Sequence, residues 1–180
     1  MYSLDILVQN YFSLIRTPAL TELMYLLTII FNFSVGFVFL TIFVAILIYF
    51  FKGLRYSFMF LLSLSVGAIM IYILKMIFDV NRPLGGIVPT FGSSFPSYHA
   101  TIVTIFFVML MYILADYFKK WVQIIFNIIC IVAVLLVSFS RVYLGVHWVS
   151  DVFVGILLGL LVCYVFILLL RRVMVKWINY

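Results

Sequence analysis

Twelve residues, Ser140 to Asp151 (Ser-Arg-Val-Tyr-Leu-Gly-Val-His-Trp-Val-Ser-Asp), bring an arginine, a histidine and an aspartate together between two long apolar runs. The chain is 68% hydrophobic and only 9% charged, and ionisable groups at a membrane edge are expensive enough to demand a use. If the apolar run that follows is helical from about His147, that residue and Asp151 stand four apart and share a face. A carboxylate so placed accepts the proton of one ring nitrogen, fixes the tautomer and leaves the other nitrogen's lone pair free to attack an electrophile. Arg141 indicates the electrophile, because its planar cationic fork suits phosphate oxygens. Taken alone, the stretch also admits a plainer reading: an interfacial salt bridge between Arg141 and Asp151 with a satisfied histidine beside it.

The elements that position these residues are membrane helices. With 180 residues and a mean hydropathy of +1.38, the chain holds at least four segments able to cross ~30 Å of hydrocarbon, for which about 20 helical residues suffice. The expected fold is all-α, a polytopic membrane bundle of five to six transmembrane helices with an amphipathic N-terminal segment. Residues 1–22 form that interfacial segment, interrupted at Thr17-Pro18, and residues 23–180 form a single transmembrane domain. Met1 to Leu7 carries neither a basic region nor a small-residue cleavage site, so no removable signal peptide is expected. Leu23 to Phe51 is uncharged; as one helix it would run ~43 Å. It therefore tilts strongly or breaks near Asn32, Ser34 and Gly36, leaving a short oblique helix over 22–32 and a span over 33–51. Further spans are expected over 56–78, 98–117, 121–139 and from about His147 to Leu170.

This order places Lys52, Arg55, Lys119, Lys120, Arg171, Arg172 and Lys176 on one side of the bilayer, against Asp116 alone, and the positive-inside rule makes that side cytoplasmic. Trp121 and Trp177 suit the inner interface and Trp148 the outer one. The +6 net charge reflects these anchors and implies no nucleic acid. Cys130 and Cys163 lie singly in apolar runs and read as core.

The remaining ionisable residues gather on the opposite face. Lys75 and Arg82, seven apart, close one span before Arg82-Pro83 ends it. They read as snorkelling cations or as groups that neutralise phosphate oxygens. Asp79 between them has no assigned role. Pro96-Ser97-Tyr98-His99 looks like a helix start, where free N–H groups favour an anion and Ser97 caps the helix or bonds that anion. His99 is placed to protonate a departing oxygen, and with His147 neutral the pair implies a bell-shaped pH profile.

With these blocks assembled, the sequence resembles the type 2 phosphatidic acid phosphatase family of membrane lipid phosphatases. Lysine, six residues and Arg-Pro correspond to Lys75 through Arg82-Pro83. Pro-Ser-Gly-His corresponds to Pro96, Ser97 and His99, with Tyr98 in place of the glycine. Ser-Arg, five residues, His, three residues and Asp correspond to Ser140, Arg141, His147 and Asp151. The resemblance implies a hydrolase without metal or cofactor. His147 attacks phosphorus to form a phosphohistidine, Asp151 supports it, and His99 protonates the leaving group and then activates water. Lys75, Arg82, Ser97, Tyr98 and Arg141 cradle the phosphoryl group. Tyr98 either forces a rearranged cradle or projects to the bilayer interface and narrows the entrance.

The implied partner is a membrane lipid phosphate within the bilayer: a polyprenyl pyrophosphate or glycerophospholipid phosphate, hydrolysed at the outer face of a bacterial inner membrane. A lipid A 1-phosphatase or phosphotransferase would use the same mechanism. Two other classes compete. His99, His147 and Asp151 as metal ligands are opposed by the cations around them. A non-enzymatic lipid-phosphate binder or transporter would need polar interruptions at midspan, where only Asn32 and Asn127 stand, each able to bond a neighbouring helix.

Overall fold

A computed structural model describes residues 2–31 and 35–178, with the side chains of Tyr2, Val35 and residues 173–178 outside the description. They form α1 (Tyr2–Ile15), α2 (Pro18–Ile30), α3 (Val35–Lys52), α4 (Leu54–Phe78), α5 (Tyr98–Ile113), α6 (Lys120–Tyr143) and α7 (Val149–Ile178). There is no strand among the described residues. The all-helical expectation therefore holds, and α4, α6 and residues 149–172 of α7 are long and apolar enough to cross a bilayer.

Local sequence explains several boundaries. Thr17 caps α2, its side chain accepting the Leu20 N–H, and Pro18 occupies the first helical turn, where its missing N–H costs nothing. The uncharged run from Leu23 is divided rather than continuous, with α2 ending at Ile30 and α3 starting at Val35; Asn32 and Ser34 lie outside the described residues. α5 ends at Ile113, short of the expected Tyr117, because residues 114–117 turn toward α6. α6 runs on to Tyr143, beyond the expected Phe139.

α5 is the hub. Ala100 to Phe106, Met109, Leu110 and Ile113 are buried, Ile105 and Met109 completely, and the residues between them are partly covered; they pack against Phe60 and Ile71 of α4, Val134 and Val137 of α6, and Leu158, Cys163 and Leu170 of α7. The outward faces carry Phe39, Phe50, Ile128 and Phe153. A helix apolar on every side needs other helices around it, whereas its neighbours meet lipid on their far sides.

The α5–α7 contact depends on small residues. A Cβ on Gly155 would lie 2.9 Å from the Ser97 carbonyl oxygen, and one on Gly159 2.8 Å from Thr104 Cβ. Two glycines four apart let the backbones approach, as at close helix crossings in membranes. The consequence is functional. The start of α7, with Asp151, is drawn against the start of α5, with Ser97 and His99, and the Ser97 N–H donates to the Asp151 carbonyl at 3.1 Å.

Connectivity separates the bundle ends. Lys52 and Arg55 flank the α3–α4 turn, Lys119 and Lys120 open α6, and the Arg171 guanidinium sits 5.7 Å from the ring centre of Tyr112 near the end of α5. The side chains of Lys176 and Trp177 lie outside the described residues. Asn127 accepts from Gln123 one turn earlier in α6, so its bond is within its own helix, not between helices.

Candidate active site

The turn that carries His147 is built by the end of α6. Gly145 has φ +71°, its N–H donates to the Val142 carbonyl, and the Val146 N–H donates to that of Arg141. This pair of bonds closes a helix through a left-handed residue, which glycine adopts without steric cost. Glycine is required twice over, since a Cβ would lie 2.6 Å from the Gly85 carbonyl oxygen. α7 begins at Val149, so His147 stands two residues before the helix and not within its first turn as expected.

Asp151 nevertheless reaches it. The carboxylate accepts the Trp148 N–H at 2.9 Å, folding back over the helix start, and Oδ2 lies 3.6 Å from His147 Nδ1. Both side chains are buried. Ser94, absent from the sequence reading, completes the group: its hydroxyl donates to Asp151 Oδ2 and lies 3.4 Å from His147 Nδ1. The opposite ring nitrogen, Nε2, faces Arg82 Nη1 at 3.5 Å. An acceptor beside Nδ1 and a permanent donor beside Nε2 assign the proton to Nδ1 and the lone pair to Nε2. Burial, reinforced by Arg141 and Arg82, holds the imidazole well below its ordinary pKa, at about 4, although Asp151 pulls the other way. His147 is neutral near pH 7.

The long connection between α4 and α5 is folded around the expected cations. Arg82 donates through Nε to the Gly92 carbonyl, through Nη1 to that of Val146, and through Nη2 to those of Phe91 and Ser93. Lys75 Nζ donates to the Ser93 carbonyl at 2.5 Å. These side chains are thus engaged with carbonyls that tie the loop to the His147 turn. Ser93 Oγ accepts the Val80 N–H and the Ser94 N–H donates to Val80, which fixes Ser94.

A second set has no such partners. Ser97 precedes α5 without a side-chain cap bond. Its Oγ, both ring nitrogens of His99 and Nε of Arg141 are buried without a protein partner. Leaving such groups unpaired costs about 1–3 kcal/mol each, so their concentration at one bundle end calls for a polar ligand. They share an electrostatic neighbourhood: the charges of Arg141, Arg82 and Lys75 all act on His99. Arg141 is steadied by α2, its Nη1 donating to Thr28 Oγ1 at 3.1 Å while that hydroxyl pairs with Ser140 Oγ.

The described residues contain no Arg141–Asp151 ion pair, which removes the plainer reading of the turn. Nor do three His, Cys, Asp or Glu side chains gather among them as a metal-ligand set. Tyr98 has no left-handed backbone, so its position does not need glycine for conformation. Its ring meets His99 edge-on at 5.8 Å and lines an apolar groove with Phe37 and Thr41 of α3 and Leu64 and Ala68 of α4. Thr28, Gln9 and Asp5 also reach the site and were not foreseen. Their only sequence signal is a polar residue at a buried helical position.

Residues 56–174 match the model of the PAP2 superfamily. An undecaprenyl-diphosphatase of Sulfolobus acidocaldarius is 34% identical over 114 residues, 59% of this chain and 50% of that protein. A phosphatidylglycerophosphatase B of Bacillus subtilis is 40% identical over 77 residues, 39% of this chain and 36% of that protein. The chain thus spans half or less of the curated relatives it matches. Two crystal structures share its fold. A transmembrane PAP2-type phosphatidylglycerolphosphate phosphatase from Bacillus subtilis superposes with TM-score 0.87 at 28% identity, over 95% of this chain and 86% of that one. Aquifex aeolicus LpxE gives 0.71 at 22% identity, over 92% and 93%. The family match runs through every residue of the cluster from Lys75 to Asp151 on a bundle of the same architecture, and the chain belongs to the PAP2 superfamily.

Proposed function

We propose that this protein is an integral membrane lipid phosphatase that works through a phosphohistidine on His147. One observation carries the reading. The unpartnered buried polar atoms of Ser97, His99 and Arg141 lie in the same cationic neighbourhood as a neutral imidazole whose lone pair faces Arg82. A phosphoryl group supplies the acceptors that Arg141 and Ser97 lack.

In the first step His147 Nε2 forms a bond to phosphorus as the phosphorus–oxygen bond to the lipid breaks. His99 gives its proton to the departing oxygen. Ser94 and Asp151 hold the ring and stabilise the positive charge it gains. Arg141 and Ser97, with Tyr98 contributing its backbone at the start of α5, bind the equatorial oxygens. Arg82 and Lys75 add charge as the loop carbonyls share them. Positioning and charge stabilisation are what phosphoryl transfer asks of a protein. In the second step His99 takes a proton from water, the hydroxide attacks phosphorus, and the phosphorus–nitrogen bond breaks to return His147 and release phosphate.

The substrate carries an apolar tail and an interfacial phosphate or diphosphate, a polyprenyl diphosphate or a glycerophospholipid phosphate, in keeping with the activities named for the relatives. Five to six helices cross the membrane, with the site at the outer face of a bacterial inner membrane and the basic ends inside. The test is phosphate release from a panel of lipid phosphates, with alkaline-quenched capture of labelled enzyme. Wild type is expected to give an acid-labile, base-stable phosphoenzyme that His147→Ala lacks. Turnover by His147→Ala at the wild-type rate defeats the mechanism, and inactivity of wild type on every lipid favours a binder.

A further inference from the structure

α1 is amphipathic in an unusual sense. Leu4, Leu7, Tyr11 and Leu14 point outward and are largely exposed, whereas Asp5 and Gln9 are buried at 4% and 8% exposure. Positions 5, 9 and 12, the first two buried and Phe12 partly so, lie on one stripe of the helix, and the partly buried Arg16 continues it just past the end of α1. Each grips the turn that carries His147 or the helix ends on either side of it.

The Asp5 carboxylate accepts the Ser150 N–H at 3.0 Å and the Ser150 hydroxyl at 2.8 Å. These groups belong to the first turn of α7, where backbone N–H groups are unpaired and negative charge is favoured. Trp148, just before the helix, has no side-chain acceptor to offer, so α1 supplies the cap from a distant part of the chain. Gln9 Nε2 donates to the carbonyl of Val142 at 3.2 Å and to that of His147 itself at 2.9 Å. Phe12 packs edge-on against Tyr143 at 5.9 Å. Arg16 donates to the Tyr143 carbonyl at 3.0 Å and to the Gly85 carbonyl at 2.8 Å, joining the turn to the Arg82 loop. Three successive residues of α1's inward stripe, and Arg16 just past its end, thus contact residues 142–150, and α1 lies wholly outside the region matched by the family model.

We propose that α1 is a positioning element for the nucleophile, with Gln9 as its central residue. His147 has no helix of its own, and its backbone is held by Arg82 from one side, through Val146, and by Gln9 from the other. Gln9 fixes the peptide plane from which the imidazole projects, so that Nδ1 meets Asp151 while Nε2 stays aimed into the cradle. None of the unpartnered atoms of Ser97, His99 and Arg141 is hydrogen-bonded to α1, so substrate affinity should not depend on it. The proposal rests on His147 being the nucleophile.

The decisive variant is Gln9→Met, which keeps the shape of the side chain and removes both donated bonds. The expected result is a fall of ten- to a hundredfold in kcat and in the rate of phosphoenzyme formation. KM stays within twofold and the acid limb of the pH profile does not move, because Asp151 and Ser94 still hold the ring. Asp5→Asn, which keeps an acceptor but removes the charge at the α7 start, lowers kcat less. Ser13→Ala, on the exposed side of α1, leaves activity unchanged. Wild-type kcat in Gln9→Met overturns the proposal, as does a loss matched by a rise in KM or by a shift of the acid limb. Should Gln9→Met be recovered unfolded, Asp5→Asn with unchanged kcat overturns it. His147→Ala run alongside separates the two failures: if it still turns over, the nucleophile assignment fails, and if it is dead while Gln9→Met is normal, only the role of α1 fails.

Discussion

Ser94→Ala probes the least expected member of the site. The Ser94 hydroxyl is fully buried, donates to Asp151 Oδ2 and stands 3.4 Å from His147 Nδ1. A hydrogen bond to a charged group contributes about 1.5–3 kcal/mol. Without it, the carboxylate keeps the Trp148 N–H and its contact with His147, but loses the bond that holds Oδ2 against the ring from the loop side. If the whole bond is needed as His147 gains charge in the transition state, kcat falls roughly 10- to 150-fold, at about 1.4 kcal/mol per factor of ten. KM should hardly change, because Ser94 faces Asp151 and not the unpartnered atoms of the cradle. Loss of Asp151 itself should cost more, since ring orientation and charge compensation are then lost together. Phosphate release measured over a substrate range, with quenched-flow trapping of the phosphoenzyme, separates the terms. Undiminished kcat in Ser94→Ala, or an effect confined to KM, would refute the reasoning.

Three further outcomes follow from the geometry. His147 must be neutral to attack, and its pKa lies at about 4 against an ordinary 6.5, so kcat/KM should hold down to about pH 5 and fall only near pH 4; an acid limb near 6.5 would contradict the buried environment. The same depression makes the unfolded chain bind the extra proton first, so stability in detergent should be full above pH 6.5, decline toward pH 4 and then level off, as thermal unfolding would show. Gly159→Ala should lower both the melting temperature and kcat, because its Cβ meets Thr104 Cβ at 2.8 Å and the Thr101 carbonyl oxygen at 2.9 Å, an overpacking worth about 1–3 kcal/mol. Gly67→Ala should do far less, since its close neighbour is the rotatable Ile105 Cδ1. Equal effects of the two variants would dissociate the α5–α7 approach from catalysis.

Composition and spacing determined much of this protein. Apolar runs broken by basic turns imply a helical membrane bundle with its charges sorted to one end, because helix length and the cost of burying charge are properties of short stretches of chain. The motif residues from Lys75 to Asp151 were legible for the same reason: each block is local, and its residue types have few other uses in an apolar setting. Tertiary structure decided what the side chains do. Lys75 and Arg82 have the same identity whether they meet a phosphate or the carbonyls of Ser93 and Val146, and only the path of the loop selects between them. Ser94 is one more serine in a serine-rich connection until the loop folds it onto Asp151. Gln9 reads as the polar side of an interfacial helix until α1 turns that side inward, 138 positions away from His147. Partners so far apart in sequence leave no periodicity or spacing to read, because the distance between them is set by packing around α5 and by the close approach at Gly155 and Gly159.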